Sequence, residues 1–261
     1  MPLRNYINLG KNVKNWPLYF RRKYFKPPDN AIYITCSNQL EMEVPDHFFY
    51  VFKEIFMEDF YETDKLLRHV ADKAVIVDIG ANVGFFSFLM ASKRKNARIY
   101  SYEPMENNMD LFRSNLDRNP GNKHSIKAER KAVTGKNVKF VKLFFDDVHS
   151  NTVISSIYED FSNDNTKATE IEAISLDEII RNNGLSVIDV LKLDCEGSEY
   201  PILYDSPASV WPLIKCLCIE VHEMDKEKRN YQFLSGFLKQ KGYQQSSRLD
   251  ANGCYYVFAW K

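Results

Sequence analysis

Residues 74–103 constrain this chain more than any other stretch. AVIVDI is a short apolar run, GANVG is a tight turn, FFSFLMASK has the apolar spacing of an amphipathic helix, and RIYSYEP opens with a second apolar run. Strand, helix and strand in that order form a βαβ unit, whose two strands are parallel because the helix returns the chain to the starting edge of the sheet. The fold class is therefore α/β, with helices covering a mostly parallel sheet. Within the turn, Gly80 and Gly84 let the backbone approach a ligand and take positive φ, while Asp78 ends the strand and can organise the turn. Glu103 ends the next strand, where a carboxylate can meet the two ribose hydroxyls of a nucleoside.

The glycine spacing selects among nucleoside cofactors. Nicotinamide-dependent oxidoreductases favour G-x-G-x-x-G, whose central glycine seats a diphosphate on the helix N-terminus. Here Ala81 and Asn82 occupy the turn, leaving little provision for a diphosphate. An adenosine joined to an amino-acid tail without phosphates fits better, and S-adenosylmethionine answers that description.

The rest of the chain completes one such sheet. Apolar runs at 187–194 (VIDVLKLD) and 213–221 (LIKCLCIEV) read as buried strands, and 125–133 and 138–145 as further strands. Met109, Phe112 and Leu116 share one face of a helix opened by Pro104 and Glu106 and stopped by Asn119-Pro120-Gly121. Ser175-Leu176-Asp177-Glu178 is a capping box. Tyr231, Leu234, Phe237 and Leu238 form a helical stripe ended by Gly242, and the chain closes in an antiparallel hairpin around Asp250-Ala251-Asn252-Gly253. Residues 146–169 are polar and read as a loop or lid. Upstream, residues 31–44 read as a small hairpin turning at Ser37-Asn38, and 48–67 as one or two amphipathic helices. We divide the chain into an N-terminal extension, 1–70, and a Rossmann-like domain, 71–261.

Formal net charge is zero, and no basic groove or aromatic platform motif marks a nucleic-acid partner. The first 28 residues are the exception in charge: every charged side chain is basic, interleaved with Trp16, Tyr19, Phe20, Tyr24 and Phe25. Such a segment either contacts a membrane interface peripherally or packs its aromatics on the main domain. No apolar run is long enough to span a bilayer and no leader pattern opens the chain, so a soluble, cytoplasmic protein is expected. Its five cysteines are scattered and suggest reduced thiols rather than a zinc site.

Several of these strings together, FKEIFMEDFYE, VIVDIGANVGFFSF, YEPMENN, ISLDEII and above all VLKLDCEGSEYPIL followed by CIEVH, resemble the FkbM family of methyltransferases. The resemblance runs from about Phe52 to the C-terminus. It implies a class I methyltransferase fold, S-adenosylmethionine as donor, and O-methylation of sugars in glycans or natural products as a common activity. The donor-binding set expected here is Asp78, Gly80, Asn82, Gly84, Glu103, Pro104 and Asn108. Two departures bear on detail: Met105-Glu106 follows Glu103-Pro104 where similar chains read Asn-Pro, and Arg130-Lys131 stands near the adenine.

At the other end of the site, alternation places Lys192 and Asp194 on one face of their strand and Glu220 and His222 on one face of theirs. Methyl transfer to a hydroxyl needs the acceptor positioned and its proton removed. His222, with an ordinary pKa near neutrality, is the expected base, Asp194 the orienting group, and Glu220 and Lys192 their neighbours in the catalytic set. Asp194, Glu196, Glu220 and His222 also offer ligands for Mg2+ or Mn2+. The expected acceptor is a small molecule or glycan hydroxyl, on a sugar or sugar nucleotide. Alternatives are N- or carboxyl-methylation of a metabolite, peptide or lipid headgroup, an oxidoreductase, and a cofactor-binding protein without catalysis.

Overall fold

The computed structural model describes residues 3–25, 30–36, 39–145, 155–161, 167–250 and 253–261. Its centre is a seven-stranded sheet built from β3 (Val75–Ile79), β4 (Arg98–Tyr102), β5 (Ile126–Glu129), β10 (Ile188–Leu193), β11 (Ile214–Val221), β12 (Gln244–Leu249) and β13 (Tyr255–Trp260). The order across the sheet is β12-β13-β11-β10-β3-β4-β5. β13 alone runs against the other six strands, pairing antiparallel with β11 and β12. The sheet is thus the mostly parallel one expected, closed by the antiparallel C-terminal hairpin. Chain order reverses between β3 and β10: β4 and β5 are laid down on one side of β3, β10 and β11 on the other. Such a switch point leaves a crevice at the carboxyl ends of the strands.

Period-two alternation along β3 and β10 divides the core between two faces. Ile76 and Val190 join α5 (Phe85–Lys93) and α6 (Glu106–Arg118) on one side, in a cluster with Phe85, Phe88 and Phe112. Val75, Val77, Leu191 and Leu193 face α7 (Leu176–Asn182), α8 (Glu199–Asp205) and α9 (Tyr231–Gln240) on the other. The capping box at Ser175 is formed in both directions, with Ser175 accepting from Glu178 N and the Glu178 side chain accepting from Ser175 N.

The N-terminal segment shares the first core. Helices α1 (Leu3–Asn12) and α2 (Pro17–Phe25) and the hairpin of β1 (Asn30–Ile34) and β2 (Glu41–Pro45) bury Leu9, Val13, Tyr19, Tyr33 and Met42 against it. The helices expected over 48–67 are interrupted. A 3-10 turn and α3 (Phe49–Lys53) pass into a π turn at Glu54–Glu58, left-handed residues follow at Asp59 and Glu62, and α4 (Thr63–Leu66) is a single turn. Ile55, Phe56 and Met57 are all buried; consecutive positions on a regular helix point about 100° apart, so the wider turn lets all three reach the core.

A second, four-stranded sheet lies where less structure was expected. β6 (Ala132–Thr134), β7 (Phe140–Phe145), β8 (Ser155–Ser156) and β9 (Lys167–Ser175) are ordered β6-β9-β7-β8. The strand expected over 125–133 is divided at Arg130-Lys131 between the two sheets, and the expected loop over 146–169 carries β8 and the start of β9. A 3-10 turn follows β8 at Glu159–Phe161, while residues 146–154 and 162–166 of that stretch and the hairpin turn Ser37-Asn38 lie outside the described residues. No described helix is long and apolar enough to cross a membrane.

Candidate active site

A cavity of about 470 Å³ opens at the switch point between β3 and β10. At one end it is lined by the glycine turn, with Gly80, Ala81 and Asn82, and by Glu103 and Pro104 beyond it. Glu103 is held from three directions: its Oε2 accepts from Asn82 N at 2.8 Å, and its Oε1 from Met105 N at 3.0 Å and Asn108 Nδ2 at 3.2 Å. Burial pushes the carboxyl up to about 7 despite these donors. Tyr102, Ala132, Val133, Leu143 and Ile157 add an apolar wall, much of it from the second sheet. Lys131 stands at the wall, paired with Glu172 at 2.9 Å, while Arg130 turns away to Glu106 and the Pro104 carbonyl.

Both glycines take the positive φ expected of them, and each is also required by its packing. A Cβ on Gly80, at φ +70°, would lie 1.7 Å from the Asp194 carbonyl oxygen, and one on Gly84, at φ +83°, 2.4 Å from the Phe112 ring. Both clashes are with the protein itself: Gly80 lets β3 and β10 close up, and Gly84 lets α5 settle on α6. Asp78, Gly84 and Asn108 do not line the cavity. Asp78 is fully buried behind the turn, where it accepts from Ser87 Oγ at 2.6 Å and faces its register partner Lys192 at 3.3 Å.

Between the glycine turn and the other end, Lys192 donates to the Gly80 carbonyl at 2.7 Å and lies 3.5 Å from Asp194. Burial works against its charge, but Asp78 and Asp194 outweigh it and hold the ammonium protonated. As a cation it ties the two strands together. Asp194 accepts from Tyr61 Oη at 2.7 Å. Against the effect of its burial, Lys192 and Tyr61 keep its carboxyl below the ordinary range.

His222 sits between two carboxylates, Nδ1 at 3.1 Å from Glu199 Oε1 and Nε2 at 3.1 Å from Glu196 Oε2. Burial opposes its charge, yet Glu199, Cys254 and Glu196 raise its pKa well above the ordinary value. An imidazolium with both N–H groups engaged has no lone pair to receive a proton, so its expected role as base does not suit this geometry. Glu220 lines the same end. Burial, then Asp194, pushes its carboxyl far above the ordinary range, so within this pair the proton resides on Glu220.

Three residues here escaped the sequence reading. Glu199, fully buried, accepts from Cys195 N at 2.9 Å and so joins the strand end to His222; its place in the E-G-x-E string was the available signal. Tyr61 and Glu54 come from the N-terminal segment, and nothing in spacing could connect Tyr61 to a partner 133 residues away. Glu54 leaves the π turn toward the cavity. Burial, then Asp194, pushes its carboxyl up to about 7.

Among the described residues, Asp194, Glu196 and His222, and separately Glu220, His222 and Cys254, bring ligand atoms within 4.8 Å of one another. Coordination needs a neutral imidazole nitrogen. Both nitrogens of His222 already face carboxylates, so a divalent ion would have to displace the imidazole proton and its pairing with Glu196 or Glu199 to bind here.

Residues 78–244 match the profile of the methyltransferase FkbM domain. Over 198 residues the chain is 25% identical to the methyltransferase sdnD of Sordaria araneosa, covering 67% of this chain and 74% of that one. It is 23% identical over 208 residues to the 31-O-demethyl-FK506 methyltransferase FkbM of Streptomyces tacrolimicus, covering 67% and 75%. Among solved structures, a methyltransferase FkbM from Methylobacillus flagellatus aligns with a TM-score of 0.51 at 16% identity, over 73% of this chain and 44% of that one. That last likeness concerns the fold, and the chain spans under half of that protein.

Proposed function

The chain belongs to the methyltransferase FkbM family, and from that premise we propose that it transfers the methyl group of S-adenosylmethionine to a hydroxyl of a sugar, glycan or similar polar molecule. The observation that carries this reading is one cavity with two unlike ends: an apolar wall beside a pre-oriented carboxylate, and a cluster of protonatable groups. O-methylation is the reaction named for the relative from Streptomyces tacrolimicus, which supports a hydroxyl acceptor. When bound, the donor supplies a methyl already activated on a sulfonium. Glu103 would accept from the ribose hydroxyls, and Tyr102, Ala132, Val133 and Leu143 would flank the adenine.

Glu54 is the group we assign to take the acceptor's proton. It lines the cavity and, unlike Asp194, is not neutralised by a buried lysine, and its proton affinity matches neutral conditions. Asp194, fixed by Lys192 and Tyr61, orients the acceptor, and protonated Glu220 donates to it. His222 balances Glu196 and Glu199. The excess of carboxylates at this end favours one second reading, transfer to an amine, whose ammonium they would attract.

Titration calorimetry with S-adenosylmethionine, followed by a panel of neutral sugars, sugar nucleotides and amino sugars assayed for S-adenosylhomocysteine release, tests both. Failure to bind the donor would sink the first reading, and turnover confined to amines would replace hydroxyl by nitrogen as the acceptor.

A further inference from the structure

We propose that the outer face of α1 and α2 docks on an anionic lipid bilayer. This goes beyond methyl transfer and does not rest on it. Leu3, Ile7, Trp16, Tyr24 and Phe25 are 75%, 50%, 45%, 65% and 78% exposed, five of the eleven strongly exposed large apolar side chains among the described residues. On α1, Leu3 and Ile7 stand one turn apart, opposite the buried Asn5 and Leu9. The two helices present one continuous surface, because Tyr6 stacks on Phe20 at 5.6 Å, Phe20 on Tyr24 at 6.5 Å, and Trp16 meets Phe20 edge-on at 5.8 Å.

The charge contributed by these two helices is of one sign. From residue 3 to 25 the charged side chains are Arg4, Lys11, Lys14, Arg21, Arg22 and Lys23, without an acid. Arg22 is buried with Asp46, and the other five are exposed. Arg4 reaches Asp59 at 3.6 Å but stays 72% exposed, whereas Lys11 and Arg21 have no acidic partner among the described residues.

A surface of Leu, Ile and Phe mixed with Trp, Tyr and basic groups suits a bilayer interface. The aliphatic groups and Phe enter the acyl boundary, the amphipathic rings sit at headgroup level, and the cations meet lipid phosphates. A second copy of the chain suits it poorly, since pairing like with like would set five cations against five. A nucleic acid would leave Leu3 and Ile7 in water.

The test is sedimentation of the full chain with vesicles of phosphatidylcholine alone and of phosphatidylcholine containing about a third phosphatidylserine. Binding to the second only, weakened as salt rises, is expected. Lys11→Glu and Arg21→Glu should each reduce it about five-fold or more, since each neutralised cation alone is worth about that factor. Leu3→Ser with Phe25→Ser should likewise reduce binding to the phosphatidylserine-containing vesicles while leaving the far-ultraviolet circular dichroism spectrum unchanged. Absence of binding, equal binding to neutral vesicles, or binding indifferent to both pairs of substitutions overturns the proposal. So does self-association by light scattering, or retention of poly(U), in a protein that ignores vesicles.

Discussion

The two ends of the cavity solve different physical problems. Beside the glycine turn, one buried carboxylate, Glu103, meets three N–H donors, and the ligand-facing wall is apolar. Beside β11, Glu54, Asp194, Glu196 and Glu220 share the cavity with Lys192 and His222, backed by Glu199. There each group's charge depends on its neighbours: Asp194 is held ionised, Glu220 protonated and His222 charged. The first end is fixed mainly by hydrogen bonds and sterics around one carboxyl that burial also raises, the second by where several protons reside. Substitutions at the first should therefore act on binding and folding, and those at the second on rate and its pH dependence.

The strongest way to break this contrast is Glu54→Gln. With an acceptor that turns over, we expect single-turnover methyl transfer to fall about a hundred- to ten-thousand-fold, with donor affinity by calorimetry nearly unchanged. Because the base must be unprotonated, the wild-type rate should rise with pH through about 7 and level off above it. Asp194, Glu58, Lys53 and Asp250 set that value along with burial, and the rise should vanish in the variant. A larger rate loss in His222→Gln than in Glu54→Gln would return the base to His222.

Gly80→Val tests the other end. A side chain there meets the Asp194 backbone and must hold positive φ, so a loss of about 3 kcal/mol or more is expected. Thermal unfolding should shift down by roughly 6–12 °C, with donor binding lost as a consequence of a displaced strand. An unchanged melting temperature accompanied by lost binding would show that the glycine serves the ligand after all. Next in size, Glu103→Ala should weaken S-adenosylmethionine by about ten- to a hundred-fold, and undiminished affinity in the folded variant would remove Glu103 from the donor site. Smallest is the response to metal removal: dialysis against chelator, with or without added Mg2+ or Mn2+, should leave the rate as it was, since an ion would have to break the pairing of His222 with Glu196 and Glu199. Activity that vanishes and returns with the ion would reverse this.

What the sequence disclosed follows the same division. The βαβ unit, the capping box, the closing hairpin and the Glu103 position depend on spacing within short stretches, which residue order displays directly. The second sheet was hidden because its strand Lys167–Ser175 carries few large apolar groups, chiefly Ile171 and Ile174, and follows a polar stretch. The π turn was hidden because apolar groups at three- and four-residue spacings across 48–67 read as a regular amphipathic helix. The carboxylate-rich end depends on chain segments meeting from far apart, Glu54 and Tyr61 beside Asp194, and on proton positions that follow only from that meeting. His222 shows the consequence: its residue type suggested a base, whereas two neighbours contributed by α8 and the strand-end turn decide that it is charged.

The three N–H groups that already grip Glu103 before any ligand arrives have a consequence in time. A loop that must order itself around a ligand slows capture and gives a rate that saturates with concentration. Here the turn, the carboxylate and the start of α6 are bonded to one another in advance, like a mould rather than a clasp. Donor capture should thus follow simple second-order kinetics, observed by stopped flow as a rate linear in concentration, with specificity expressed in how long the donor stays rather than in how quickly it enters.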